Sequence, residues 1–300
     1  MESFLSSAFG KKTKKNKKNI KKTKKINCYA GRSKKDKSCY TDDSLIKIRN
    51  IWNKKHPDKK IIARRRSDIW NRLNENLQHV CNSELCWLEQ KFIDDELSKK
   101  IREKSFVPSQ PKKWKKNPNE WLNSLDISRV MKQYENDYKC FDFLGPSPID
   151  FDTFKDNKEC VWDEICNFDL NKSYTKGKRK FGFIFNLDPH YKGGSHWVSM
   201  FVDLDKNFIF FMDSNGEKIP PEVKKLSVRI KKQAKDDLHK KLRFIDNAPM
   251  EHQHENTECG IYSLYNIISL LKDLKTPEQI KRKRIADEEM EEYRSIFFNE

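Results

Sequence analysis

An α+β fold is predicted for this chain on three observations. Apolar residues recur at helical spacing within residues 42–105. Three runs between residues 181 and 214 are rich in Phe, Val and Ile and have strand character. From residue 259 a long apolar segment has the composition of a buried helix. The 300 residues suffice for one large domain, or one domain with an extension. Apolar residues are scarce in the first forty positions and dense in the last 120, so the core is expected in the C-terminal part.

The chain opens with a lysine-rich tail, residues 1–40, carrying fourteen basic and two acidic side chains. Such a segment buries too little apolar surface to offset its ordering entropy, so it is expected to be disordered. It reads as a solvated arm, as an arm that binds DNA or RNA, or as a nuclear-targeting patch. Residues 41–107 read as a helical N-terminal arm. Leu45, Ile48, Ile51 and Trp52 share one face of a helix over 42–55. Ser67 reads as the N-cap of a second helix with Ile69, Trp70, Leu73 and Leu77 on its face, and a third apolar stretch spans 86–93. Residues 108–118, rich in Lys and Pro, read as a linker to a main domain over 119–300.

In that domain Ile127, Val130, Met131, Tyr134 and Tyr138 mark an amphipathic helix. Residues 181–187, 196–204 and 207–214 read as strands, the last two joined by a tight hairpin at Asp205-Lys206. A long charged helix follows Pro220-Pro221 with Val223, Leu226 and Ile230 inward. A short strand over 243–248 precedes the apolar helix of 259–274, and Met290, Tyr293 and Phe297 line the inner face of a closing helix over 287–298.

Eight cysteines stand at 28, 39, 81, 86, 140, 160, 166 and 259. Residues 1–10 lack the basic-then-apolar order of a signal peptide, and no apolar run approaches the roughly 20 residues that span a bilayer. A reducing compartment, thiol cysteines and no membrane association are therefore expected. The Cys28/Cys39 and Cys81/Cys86 spacings fit no common zinc knuckle, and neither a metal nor a cofactor is expected.

A thiolate nucleophile needs a base, a field that favours the anion, and donors for the tetrahedral oxyanion. His196 stands at the head of a strand in Gly-Gly-Ser-His-Trp. Asp213 ends the next strand of the hairpin, where it can orient the imidazole. Cys259 opens a helix, whose unsatisfied N–H groups favour a thiolate. Gln253, six residues upstream, can offer its amide to an oxyanion beside the Cys259 backbone N–H. Singly these are weak signals. A cysteine at the start of an apolar helix is most often a buried structural thiol, a histidine beside a tryptophan is usually structural, and Asp213 alone reads as a turn residue. The joint order Gly-Gly-x-His-Trp, Asp-Ser, Gln-x5-Cys-Gly-Ile-Tyr is far more specific.

That order resembles the Ulp1-like and adenain-like cysteine peptidases, a family that includes SUMO deconjugases and viral maturation proteases. It is most similar to the branch in African swine fever virus and mimivirus-like giant DNA viruses. Trp121-Leu122-Asn123 is similar to the Trp-Leu-Asn segment of SUMO peptidases. Arg284-Ile285, Asp287-Glu288, Met290, Tyr293-Arg294 and Phe298 resemble the end of the viral branch. Cys39 and Cys81-x4-Cys86, with the sequence around them, resemble its helical arm.

The resemblance implies a papain-like, circularly permuted α+β core. Its catalytic residues would be His196, Asp213 and Cys259, with Asn215 the alternative third member, Gln253 in the oxyanion hole and Trp197 roofing the substrate channel. It further implies cleavage after Gly-Gly in viral structural or polyprotein precursors, in the virion or in factories in the host cytoplasm. The alternatives are a peptidase that removes SUMO or another ubiquitin-like protein, and a packaged nucleic-acid-binding protein.

Overall fold

Thr41 opens the first helix by accepting the Ser44 backbone N–H at 2.9 Å, with two acidic residues in the first turn and two lysines in the last, the order that suits the helix dipole. This and all that follows comes from a computed structural model, which describes residues 26–30, 38–155 and 159–300. Helices α1 (Asp42–Lys55), α2 (Arg66–Leu77), α3 (Glu84–Trp87) and α4 (Asp95–Ser105) enclose a core of their own, centred on Tyr40, Leu45, Ile48, Leu73, Trp87 and Phe106. Helix α2 starts at Arg66, one residue ahead of the expected Ser67 cap, and Arg65 makes no capping bond there.

Helix α5 (Ser124–Asp137) is set by a reciprocal capping box between Asn123 and Asp126. Strand β1 (Phe141–Pro148) follows, then the short helices α6 (Asp163–Cys166) and α7 (Leu170–Thr175). Next come β2 (Lys180–Asn186), β3 (Trp197–Asp203) and β4 (Phe208–Met212). Helix α8 (Pro221–Leu238) starts with Pro at N1, β5 (Arg243–Asp246) closes the sheet, and α9 (Cys259–Leu271), α10 (Pro277–Arg282) and α11 (Asp287–Phe297) complete the order.

The strands lie in the order β1-β2-β3-β4-β5, antiparallel at the two central pairings and parallel at both edges. Alternate residues serve two cores. Ile184, Phe201, Phe208 and Phe210 face α5, α9 and α11. Phe181, Phe183, Phe185, Val198, Met200, Val202, Ile209 and Phe211 face α7 and α8. Helix α9 lies across β3 and is buried along its whole length, which accounts for its unbroken apolar character.

Three expectations are corrected. Residues 26–30 and 38–40, assigned to the disordered tail, are packed. Tyr29, Ala30, Cys39 and Tyr40 are buried, and Tyr29 N–H donates to Ser105 O at 2.9 Å. They carry apolar side chains, in contrast to the composition of the lysine run; residues 1–25 and 31–37 lie outside the described residues.

The cysteines are not all thiols. Disulfides join Cys28 to Cys39, Cys81 to Cys86 and Cys160 to Cys166, leaving Cys140 and Cys259 free. The composition argument failed because folding brings these pairs within bonding reach, whatever the chain start suggests about compartment.

Residues 108–118 are more than a tether. Gln110 N–H donates to Asn299 O and Asn299 N–H to Pro108 O, while Trp114 is buried edge-on to Phe298. The segment's one large apolar side chain, Trp114, and its pairing with the C-terminus override the Lys/Pro composition.

Candidate active site

Residues at the ends of β3, β4 and α9 meet at one end of the sheet. Asn186 is paired with Trp197, so the β2–β3 connection ends with His196 just ahead of β3; His196 O accepts Leu187 N–H at 2.9 Å. β3 and β4 are antiparallel with Ser199 opposite Met212, which brings Asp213 to the same end. His196 Nε2 donates to Asp213 Oδ1 at 2.7 Å. Cys259 interacts with the same ring and is one of the groups that raise its pKa. Cys259 is the first residue of α9 and is buried. Helix α9 therefore delivers the sulfur to the histidine that the sheet presents.

Burial pulls the His196 pKa down. Hydrogen bonds to Asp213 and Cys259 and their charges outweigh it and push the pKa up to about 9. An imidazolium is thus favoured in place, ready to hold the proton that a thiol gives up.

Asp213 is itself held. Its Oδ1 also accepts the Asn215 N–H at 2.8 Å, so Asn215 contributes its backbone here while the carboxylate of Asp213 meets the histidine. Asp213 N–H donates to Asn247 Oδ1 at 3.0 Å, and Asn247 Nδ2 donates to the carbonyls of Asp213 and Met250, both at 2.7 Å. The turn after Asp213 ends at Gly216, whose φ of +74° and approach to the 249–251 backbone exclude a Cβ.

Gln253 joins the same turn. His252 and Gln253 N–H groups donate to Ser214 O at 2.8 and 2.9 Å, and Ser214 Oγ donates to Gln253 Oε1 at 2.8 Å. Gln253 Nε2 donates to Glu255 O at 2.6 Å, and an amide nitrogen has a second hydrogen to offer. The residue after the cysteine packs closely: a Cβ on Gly260 would sit 3.0 Å from Leu122 Cβ, so Leu122 would have to shift to admit one.

Leu122 also fixes Trp197, whose Nε1 donates to Leu122 O at 2.9 Å. Trp197 borders a cleft of about 540 Å³ whose other walls include Trp121, Asn123, Pro148, Trp162, Asn186 and Gly194. Neither His196 nor Cys259 lines this cleft; it adjoins them through Trp197.

The four residues expected to act together, His196, Asp213, Cys259 and Gln253, are thus linked directly or through one turn, and Trp197 stands beside them. Sequence reading missed Asn247 and Asn186, which hold the Asp213 turn and the β2–β3 loop. Asn186 Oδ1 accepts the Asp188 and Ser195 N–H groups at 3.0 and 3.2 Å. Each asparagine stands at or just past a strand's C-terminal end, a placement that invites a side-chain cap but has no spacing signature of its own. Among the described residues no group of three or more His, Cys, Asp or Glu could hold a metal ion, and no helix is long and apolar enough to cross a membrane.

Residues 181–300 match the family described as the Ulp1 protease family, C-terminal catalytic domain. The chain is 27% identical over 291 residues to a protein of Acanthamoeba polyphaga mimivirus named as a thiol protease, covering 88% of this chain and 90% of that one. It is 27% identical over 235 residues to a protein of African swine fever virus, isolate Pig/Kenya/KEN-50/1950, named as a SUMO-1 cysteine protease, covering 73% of this chain and 83% of that one. The crystal structure of an African swine fever virus protease superposes with a TM-score of 0.63 at 22% identity, covering 92% of this chain and 97% of the other. That likeness establishes the fold.

Proposed function

We propose that this chain, a cysteine-type endopeptidase with an Ulp1-family catalytic domain, is a viral enzyme that cleaves structural or polyprotein precursors after Gly-Gly during virion maturation. The observation that carries the reading is the His196–Asp213 hydrogen bond at the end of the sheet, with Cys259 at the head of α9 interacting with the same ring, beside a cleft bordered by Trp197.

In this reading Cys259 Sγ attacks the scissile carbonyl carbon and a C–S bond forms. The oxyanion takes hydrogen bonds from the Cys259 backbone N–H and the free Gln253 amide hydrogen. His196 then passes its proton to the departing amine as the C–N bond breaks. Water, deprotonated by His196, releases the acyl group and restores the thiol. Asp213 holds the ring in position and supports its positive charge.

We assign this activity to the virion and to factories in the host cytoplasm, a reading supported by the viral origin of the named relatives. The lysine-rich tail would bind DNA or RNA there. A second reading, removal of SUMO or another ubiquitin-like protein, draws on the name SUMO-1 cysteine protease borne by relatives.

The test is to incubate purified protein with core and capsid precursors of its own virus, and separately with a SUMO fusion, and to map new N-termini. Cuts after Gly-Gly in the precursors, absent with Cys259→Ala, are expected. Cleavage of the SUMO fusion alone would favour the second reading, and cuts in neither would overturn both.

A further inference from the structure

We propose that Arg294 is a positioning residue for the nucleophile: paired with Glu258, it locks the first turn of the Cys259 helix to the segment that carries the cleft wall. The inference rests on the reading of Cys259 as nucleophile. It gives a physical role to the Tyr293-Arg294 part of the C-terminal pattern, which lies outside the reacting groups.

Arg294, on α11, is nearly fully buried. Its Nε donates to both oxygens of Glu258 at 2.9 and 2.8 Å, and Glu258 is the residue immediately before Cys259. One terminal nitrogen donates to Glu120 O at 2.8 Å and the other to Thr257 O at 3.1 Å. The guanidinium also lies 4.6 Å from the centre of the Trp114 ring. Glu120 leads directly into Trp121 and Leu122, and Leu122 meets both Gly260 and the Trp197 indole. One side chain thus joins the start of the nucleophile helix, the strip beside the cleft and the C-terminal helix.

The pairing also solves an electrostatic problem. A carboxylate at a helix N-terminus is favoured by the dipole, but here it is adjacent to a residue that must itself become an anion. Left unpaired, buried Glu258 would repel the thiolate and would carry a large desolvation cost. On the sheet side His196 is hydrogen-bonded to Asp213, and on the α11 side Glu258, adjacent to Cys259 in sequence, is paired with Arg294 at 2.8 Å. Lysine offers a point charge without the planar fork that reaches four acceptors at once.

The experiment uses the full chain and a Gly-Gly peptide substrate. Iodoacetamide labelling of the wild type first checks the underlying reading: modification of Cys259 with loss of turnover is expected, and full activity after labelling would overturn that reading, not this one. With Cys259 so identified, Arg294→Met is expected to lower kcat by about 10- to 100-fold, the scale of small misplacements, with KM within about twofold of wild type. The double variant Glu258→Gln/Arg294→Met removes the stranded carboxylate together with the clamp. It is expected to fold and to lose kcat, but less than the single variant. Wild-type kcat in the single or the double variant would overturn the proposal, as would a loss in the double equal to or above the single, or a loss expressed in KM. If Arg294→Met fails to fold, the double variant decides: lowered kcat at unchanged KM supports the clamp, and wild-type kcat or raised KM refutes it.

Discussion

Asn247 lies thirty-four positions beyond Asp213 in the chain, yet it pairs with that residue's backbone on both sides and is fully buried. Its replacement by Ala strands a buried N–H and a buried C=O, each worth about 1–3 kcal/mol. Asn247→Ala is therefore expected to lower the melting temperature and to lower kcat through a displaced Asp213. A thermal melt and a rate measurement on one preparation check both, and an unchanged kcat would confine Asn247 to stability. Cys259→Ala and His196→Ala are expected to abolish turnover, whereas Asp213→Ala retains measurable activity because the carboxylate only orients and supports the ring. Gln253→Ala is expected to cost about 10²–10³ in kcat, the scale for one oxyanion donor, with KM little changed. The raised pKa of His196 sets a pH dependence. Its folded value, about 9, lies above the ordinary 6.5, so the stability it contributes is complete below pH 6.5 and is lost as pH rises towards 9. His252 has the opposite sign: burial and nearby Arg284 push it down to about 4, so its contribution is complete above pH 6.5 and is lost as pH falls towards 4. The melting-temperature difference between wild type and His196→Gln should therefore shrink from pH 7 to pH 10. A constant difference would show that the ring gains no proton-linked stability.

At the scale of elements, helices with a strong apolar stripe and central strands were legible. Helix α1, α8 and the start of α9 fall at the residues that periodicity and Pro220-Pro221 indicate. Strand β1 was not, because Gly145-Pro146 and Pro148 interrupt its sequence; as an edge strand with a register shift it tolerates them. The geometry of the candidate site was legible where side chains stand at the ends of elements, since His196, Asp213, Gln253 and Cys259 come together as their spacing suggests. It was not legible where a side chain serves only the backbone of a distant segment, as Asn247 does, or where disulfides join cysteines whose approach only the folded chain sets. The Cys28–Cys39 bridge changes what truncation should do. Deletion of residues 1–25 is expected to leave peptide cleavage unchanged. Deletion of residues 1–38 removes one end of that bridge, the buried Tyr29, and the paired hydrogen bonds between Asn27 and Asn299. It should lower the melting temperature, since a bridge closing a loop of about this length is worth about 3 kcal/mol. Equal melting temperatures for the two truncations would mean that residues 26–38 add nothing to the fold.

Over the whole molecule, the cleft draws on segments that are far apart in the chain: Pro111 and Lys113, the Trp121–Asn123 strip, β1 at Pro148, Trp162, Asn186 and the loop through Gly194 to Trp197. In the proposed reading a substrate laid along it would reach Cys259 past Trp197, which is fixed from below by Leu122 O and from behind by its place at the head of β3. A ring held at both ends cannot swing aside for a larger side chain. If, as proposed, Trp197 roofs the substrate channel, it would favour residues without a Cβ on the acyl side of the cut, and glycine also reaches backbone conformations closed to other residues. Beyond the cut the chain leaves this passage, so tolerance is expected there. The measurement is kcat/KM over a peptide series varied at the two positions before the bond. Replacing the glycine next to the bond by alanine should cost at least about tenfold, because a clash of about 1.4 kcal/mol in the transition state suffices. Trp197→Ala should narrow the gap between Gly-Gly and Ala-Ala peptides by opening the passage, even as it slows both. If Gly-Gly and Ala-Ala peptides are cut at comparable rates by the wild type, the passage does not select, and Trp197 is an ordinary core tryptophan.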